Sequence, residues 1–143
     1  SPGAWSQFIL KKNSNANVYA MDVLDMEPIE GVSFFKKNIE QIYNVSQILK
    51  LKGNFNLVIS DIAPNLSGIK SVDNENIYDL NKLTVGIASD FLCNRGSLIM
   101  KTFQNSFLKT LRKDMELSFK IVQTYKPAAS KKQSGEIYLY GVK

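Results

Sequence analysis

Four charged residues stand where apolar runs begin or end. Val18–Met21 runs into Asp22, Phe55–Ser60 into Asp61 and Ser97–Met100 into Lys101, while Glu136 opens the run Ile137–Val142. A carboxylate leaving a buried strand into the rigid turn Ala63-Pro64-Asn65 is costly for structure alone. The bland alternative is that Asp61 caps that turn. Lys101 can equally be a snorkelling edge residue, and Glu136 a solvated one. The chain has no histidine, which removes the commonest general base and most zinc-site designs. Proton transfer would have to use carboxylates, lysine, tyrosine or water, and no metal site is expected.

A second constellation lies at the start. Ser1-Pro2-Gly3-Ala4-Trp5 opens a helical pattern, and a Pro-Gly turn there lets the backbone approach a ligand closely with amides pointing at it. Asp22 follows Gly3 by 19 residues at the end of the next strand, the usual spacing for a carboxylate that accepts bonds from ribose hydroxyls. Neither G-x-G-x-x-G nor a Walker lysine motif occurs, which argues against a dehydrogenase or a kinase.

The elements that position these residues alternate. Helical spacing over Ala4–Lys12 precedes strands at Val18–Met21 and Val32–Phe35. Helix over Val45–Leu51 is stopped by Gly53-Asn54, and a strand follows over Phe55–Ser60. The longest helical pattern spans Asp73–Leu92. Asn94–Gly96 breaks it before the strand Ser97–Met100, and a short helix runs from Phe107 to about Lys113. Phe119–Thr124 and Ile137–Val142 are the last strands, with no helix between them. Short continuous apolar strands alternating with helices predict an α/β domain: a mostly parallel sheet covered on both faces, closed by an antiparallel hairpin. Ligands of such sheets sit beyond the carboxyl ends of the strands, so Asp22, Asp61 and Lys101 are expected to converge on one crevice.

The 143 residues carry a net charge of +5, unevenly distributed. Residues 1–100 are nearly neutral, whereas residues 101–143 hold nine basic against three acidic groups. Such a basic third fits a polyanion beside a neutral core, and Lys109, Arg112, Lys113, Lys126, Lys131 and Lys132 are its candidate phosphate contacts. A solubilising surface is the plain alternative. One cysteine, Cys93, asks for no oxidising compartment, and no apolar run approaches a membrane span.

Taken in order, these pieces resemble the FtsJ/RrmJ-type ribosomal RNA 2′-O-ribose methyltransferases along the whole chain. The matching segments are Pro2-Gly3-Ala4-Trp5-Ser6-Gln7, Asp22 with Met26-Glu27-Pro28-Ile29 and Gly31-Val32, and Ser60 to Gly68. They continue through Val72-Asp73, Gly96-Ser97 leading to Lys101-Thr102-Phe103-Gln104, and Lys126-Pro127-Ala128-Ala129-Ser130 leading to Glu136-Ile137-Tyr138. The form Ala-Pro-Asn-Leu-Ser-Gly looks most like the bacterial and mitochondrial large-subunit branch. The resemblance implies a Rossmann-like fold, S-adenosylmethionine as cofactor, and 2′-O-methylation of a uridine in large-subunit (23S-type) ribosomal RNA. It further implies a monomer without a membrane, cytoplasmic in bacteria and mitochondrial in a eukaryote. Methylation of tRNA or an mRNA cap, or an inert RNA-binding module, are the alternatives.

By motif match the family's catalytic Lys, Asp, Lys, Glu set falls on Asp61, Lys101 and Glu136, with no residue assignable to the first lysine. The cofactor set falls on Gly3, Trp5, Asp22, Asp61 and Asn38, where Asn38 stands in for the family's usual acidic residue. The reaction needs a base for the ribose 2′-hydroxyl, and a lysine serves because burial and a second cation both depress a lysine's pKa. Lys101 is the expected base, Asp61 its orienting partner and Glu136 a positioning carboxylate. Residues 1–143 are expected to form a single methyltransferase domain that begins inside the cofactor turn. The central strand between those ending at Met21 and Ser60 would then be absent from this chain.

Overall fold

The computed structural model describes residues 3–128 and 135–143. The chain divides into two compact units, residues 1–51 and 52–143.

In the first unit α1 (Ala4–Lys12) starts at Gly3 and is followed by β1 (Val18–Asp22) and β2 (Val32–Lys36). The two strands pair in parallel, Val18 opposite Val32 through Asp22 opposite Lys36. Gly3 occupies the left-handed region, with φ of 88°. Any other residue would be strained at that φ, and a Cβ there would also have to displace the ends of the Ile29 and Met26 side chains, 2.5 and 2.9 Å away. The helix expected over Val45–Leu51 is instead a 3-10 turn, Ile39–Asn44, followed by the one-turn α2 (Ser46–Leu49). Asn38 starts that 3-10 turn: its Oδ1 accepts from the Glu40 N–H while Gln41 Oε1 accepts from the Asn38 N–H.

In the second unit β3 (Phe55–Ser60), α3 (Lys70–Phe91), β4 (Leu92–Phe103), α4 (Leu108–Glu116), β5 (Ile121–Tyr125) and β6 (Glu136–Val142) build one sheet in the order β3-β4-β6-β5. β3 and β4 are parallel, and β6 runs antiparallel to both β4 and β5. The closing hairpin expected from the sequence is present, with its second strand inserted between β4 and β5. β1 and β3 lie in separate sheets and do not pair with each other.

Alternation of side chains sorts this sheet into two faces. Leu98, Met100 and Leu139 point to the face that packs against Val85 and Ala88 of α3 and Leu111 and Met115 of α4. Thr102 lies in the same row, and its Oγ1 accepts from the buried Asn81 Nδ2 at 2.6 Å, pinning α3 to β4. Lys101, between Met100 and Thr102, is thereby directed to the opposite face.

Several boundaries differ from expectation. α3 begins at Lys70 rather than Asp73, and β4 spans Leu92–Phe103 rather than Ser97–Met100, so Lys101 lies two residues inside its end. Asn94–Gly96, expected to separate helix from strand, lies inside β4, although Arg95 takes a φ of 64° and a Cβ on Gly96 would lie 2.9 Å from the Cys93 carbonyl oxygen. Backbone bonds from Arg95 N to Lys143 O and from Lys143 N to Gly96 O carry the irregular stretch inside the ladder. The Lys143 ammonium also donates to the carbonyls of Ser89 and Leu92, closing the carboxyl end of α3.

Candidate active site

Asp61 is the first residue after β3, and Ser60 at the strand's end is paired with Met100. The parallel register therefore sets Asp61 beside Lys101. The Lys101 ammonium lies 2.8 Å from Asp61 Oδ1, with the lysine side chain 14% and the carboxylate 47% exposed. A nearly buried ammonium thus meets a carboxylate that keeps access to solvent, at the carboxyl ends of adjacent parallel strands. The structure brings these two expected residues together.

Glu136 enters by another route. It opens β6 opposite Phe103, and Tyr138 two residues later sits opposite Lys101. Residues opposed across a ladder, and those two apart on one strand, share a face. Lys101, Phe103, Glu136 and Tyr138 are therefore neighbours on one face of the β4–β6 ladder. Burial raises the pKa of the Tyr138 hydroxyl, as do the charges of Asp61 and Glu136, while Lys101 opposes them. The phenol stays protonated and able to donate. In the sequence Tyr138 stands out only as part of a motif. A signal for it exists: two residues after Glu136 on a strand is the same face.

The turn after Asp61 is held by a carboxylate whose sequence position suggests only a helix start. Asp73, in the first turn of α3 and 9% exposed, accepts from the Ser67 hydroxyl at 2.7 Å and the Ser67 N–H at 2.6 Å. It also accepts from the Gly68 N–H at 3.1 Å. The loop that leaves Asp61 is so returned to the helix at a defined point.

The remaining expected residues are distributed as follows. Asp22, in the first unit, ends β1, and its Oδ1 accepts from the Leu24 N–H at 2.9 Å. Gly3 and Trp5 lie at the start of α1, in the same unit. Asn38 is there too, with its side-chain oxygen engaged as the cap described above. Lys109 and Lys113 are exposed on α4, and Lys126 is exposed just after β5. Arg112 is tied back onto β5, its guanidinium donating to Thr124 Oγ1 at 2.7 Å and the Val122 carbonyl at 3.4 Å. Lys131 and Lys132 lie outside the described residues. Among the described residues no group of three or more Cys, Asp or Glu side chains could hold a metal ion. No helix among them is long and apolar enough to cross a membrane.

A family model described as FtsJ-like methyltransferase matches residues 1–143. The chain belongs to this family. Ribosomal RNA large subunit methyltransferase E of Variovorax paradoxus (strain S110) is 36% identical to it over 153 residues, covering 99% of this chain and 69% of the relative. The protein of the same name from Polaromonas naphthalenivorans (strain CJ2) is 40% identical over 156 residues, covering 99% and 64%. The chain thus spans roughly two thirds of the length of these curated relatives. A crystal structure described as that of a ribosomal RNA methyltransferase from Plasmodium falciparum matches with a TM-score of 0.84 and 25% identity, over 99% of this chain and 80% of that one. The Rossmann-like methyltransferase fold inferred from the sequence is therefore the fold of this FtsJ-like chain.

Asp73 gives the FtsJ-like loop a measurable acid response. The Ser67 hydroxyl first, then the Ser67 and Gly68 N–H groups, hold its carboxyl below the ordinary value of 3.8. A depressed folded-state pKa means that the contribution to stability is complete above the unfolded value and lost as acidification passes through the lower, folded one. The Asp73→Asn variant should therefore be less stable than the parent at neutral pH, with the difference narrowing below about pH 4. Urea midpoints measured across pH check this, and a constant difference would deny the carboxylate its role.

Proposed function

We propose that the chain carries the catalytic centre of an S-adenosylmethionine-dependent enzyme that methylates the ribose 2′-hydroxyl of a uridine in large-subunit ribosomal RNA. The observation that carries this reading is the Lys101–Asp61 pair, 2.8 Å apart with the ammonium nearly buried. Such a pair at the carboxyl ends of parallel strands is a placement for chemistry rather than for sheet stability. It favours an enzyme over an inert RNA-binding module. The names of the curated relatives support ribosomal RNA as the substrate.

The residues present suit the cofactor. Gly3, with φ of 88°, makes the turn that opens α1, the kind of helix start whose amides can face a ligand. Asp22 offers a carboxylate at the end of β1 for ribose hydroxyls. Within the first unit Gly3, Trp5 and Asp22 would contact the cofactor, and Asn38 would add a contact at the adenine. S-adenosylmethionine, when bound, supplies a methyl group already activated on a sulfonium.

The protein then has to align the hydroxyl and remove its proton. Lys101 would take the proton from the ribose 2′-oxygen as the methyl group passes from the sulfonium sulfur to that oxygen. Asp61 Oδ1 fixes the direction of the Lys101 nitrogen and stabilises the ammonium that results. Glu136, on the same face as Lys101, positions the ribose. Much of the acceleration comes from alignment, because the methyl group needs no further activation. The enzyme would act as a monomer, in the cytoplasm of a bacterium or the mitochondrion of a eukaryote.

The test is methyl transfer by the full polypeptide from labelled S-adenosylmethionine to separated large-subunit RNA, tRNA and capped mRNA. Label is expected in the large-subunit RNA, recovered as 2′-O-methyluridine. Incorporation into tRNA or cap alone would overturn the substrate assignment. RNA affinity should fall steeply with salt, and Lys109→Ala/Lys113→Ala should reduce the slope by about 0.7 to 0.9 for each phosphate that is no longer neutralised. An unchanged slope would make those two lysines a solvated face.

A further inference from the structure

The register of the second sheet aligns one more aromatic side chain with the ion pair. Lys101 on β4 is opposite Tyr138 on β6, and Tyr138 is opposite Tyr125 on β5. Directly opposed residues project from the same face of a sheet. Asp61, Lys101, Tyr138 and Tyr125 therefore form a row across one face. β5 is parallel to β3 and β4, since β6 is antiparallel to β4 and β5 alike. Tyr125 thus ends its strand at the same margin as Lys101 and Asp61, the margin where this sheet class takes its ligands.

Exposure changes along the row. Lys101 and Tyr138 are half-buried or less accessible, whereas Tyr125, on the outermost strand, is 62% exposed. Two strand spacings separate it from Lys101, roughly 10 Å of backbone distance. Lys126 follows directly, within the segment 101–143 whose nine basic groups outnumber three acidic ones. An aromatic face at this distance from the reacting hydroxyl, beside a cation and within a positively charged third, matches an unpaired base on a phosphate backbone. A peptide would instead be matched by an apolar groove, whereas Gln123, two residues before Tyr125 on β5, shares its face.

We propose that Tyr125 is a stacking platform for an unpaired RNA base flanking the modified nucleotide. The proposal rests on the reading of the chain as an RNA methyltransferase and deepens it with a specificity-determining position. The ring supplies the π-face, its backbone is held by the β5–β6 ladder, and Lys126 is the next residue in the chain. Target selection would then include the requirement that a neighbour of the modified nucleotide be unstacked and free to lie on Tyr125. A fully paired helix could not satisfy it.

Steady-state methyl transfer by the full polypeptide on a large-subunit RNA fragment tests this. Tyr125→Ala should raise KM for RNA roughly 5- to 140-fold, the loss of one base–aromatic stack, with kcat at saturating RNA unchanged. Tyr125→Phe keeps the ring and should keep the parent's KM. Abasic sites at the flanking nucleotides should raise KM for the parent and add little in Tyr125→Ala. Equal KM for the alanine variant and the parent would overturn the proposal, as would a phenylalanine variant as impaired as alanine or additive abasic and alanine effects. A lowered melting temperature without a change in KM would make the ring a packing residue, also overturning it. If the parent transfers no methyl group to the fragment, the function reading has failed instead. Anisotropy with a labelled single-stranded oligoribonucleotide then still reads the platform: weaker binding by Tyr125→Ala than by Tyr125→Phe supports it, and equal binding overturns it.

Discussion

Replacing Lys101 by alanine should lower methyl transfer by about 10²- to 10⁴-fold, the range expected for loss of a positioned general base, while cofactor affinity stays near that of the parent. The lysine approaches Asp61 from the β4 side, and its replacement leaves a carboxylate that is already 47% exposed and able to turn to water. Folding should therefore survive the change. Lys101→Arg separates the two duties of the side chain. A guanidinium can restore the ion pair with Asp61 yet remains protonated, so it restores charge without restoring a base. Single-turnover transfer with both variants distinguishes them. Parent-like rates in Lys101→Arg would mean that Lys101 acts as a fixed charge and that the proton leaves by another path.

Leu139→Ala should cost about 2–5 kcal/mol of folding stability. Leu139 is completely buried in the middle of β6, in the cluster formed by Met100 of β4 and Leu111 and Met115 of α4. Truncation there opens a cavity that neighbours on two strands and a helix cannot close together. Against a total of about 5–15 kcal/mol for a natural domain, that loss is a large share. Urea unfolding should show a lower midpoint with little change in slope. Leu139→Ile, which conserves volume, should lose less than about 1.5 kcal/mol. An alanine variant as stable as the parent would mean that the core is organised around other side chains.

How far the site is readable follows from the range of each signal. Asp61 and Lys101 can be placed together because each ends an apolar run, and parallel strands align their carboxyl ends. Their pairing needs no knowledge of distant contacts. Tyr138 and Tyr125 do not stand out in the same way, because their alignment depends on β6 entering between β4 and β5, a register that no local pattern encodes. The extension of β4 back to Leu92 is hidden for the same reason: Arg95 and Gly96 look like a stop until Lys143, far along the chain, supplies bonds to both. Asn38 shows the reverse case. Asn at one position and Gln three later is a local helix-start signal, legible in the sequence even where a motif match reads the same residue as a ligand contact. Arg112 shows what charge counting omits, since a guanidinium bound to Thr124 and Val122 braces α4 against β5 whatever else it meets.

The place of β6 also dictates when the sheet can be completed during synthesis. Its seven residues pair with β4 along one edge, and five of them with β5 along the other, so β4 and β5 are joined only through it. A chain made from its amino end presents β4 and β5 as unjoined edges, with Leu98 and Met100 short of their cross-strand cover, until Val142 has been added. Val142 lies 17 residues beyond Tyr125. At about 5–20 residues per second that addition takes roughly 1–3 s, long compared with the microseconds in which a hairpin can form. For that interval the nascent unit carries the open apolar strand edges on which chains mispair. The hazard for this protein is therefore concentrated in a brief stage of its manufacture, and it ends when the last strand slides between its two neighbours.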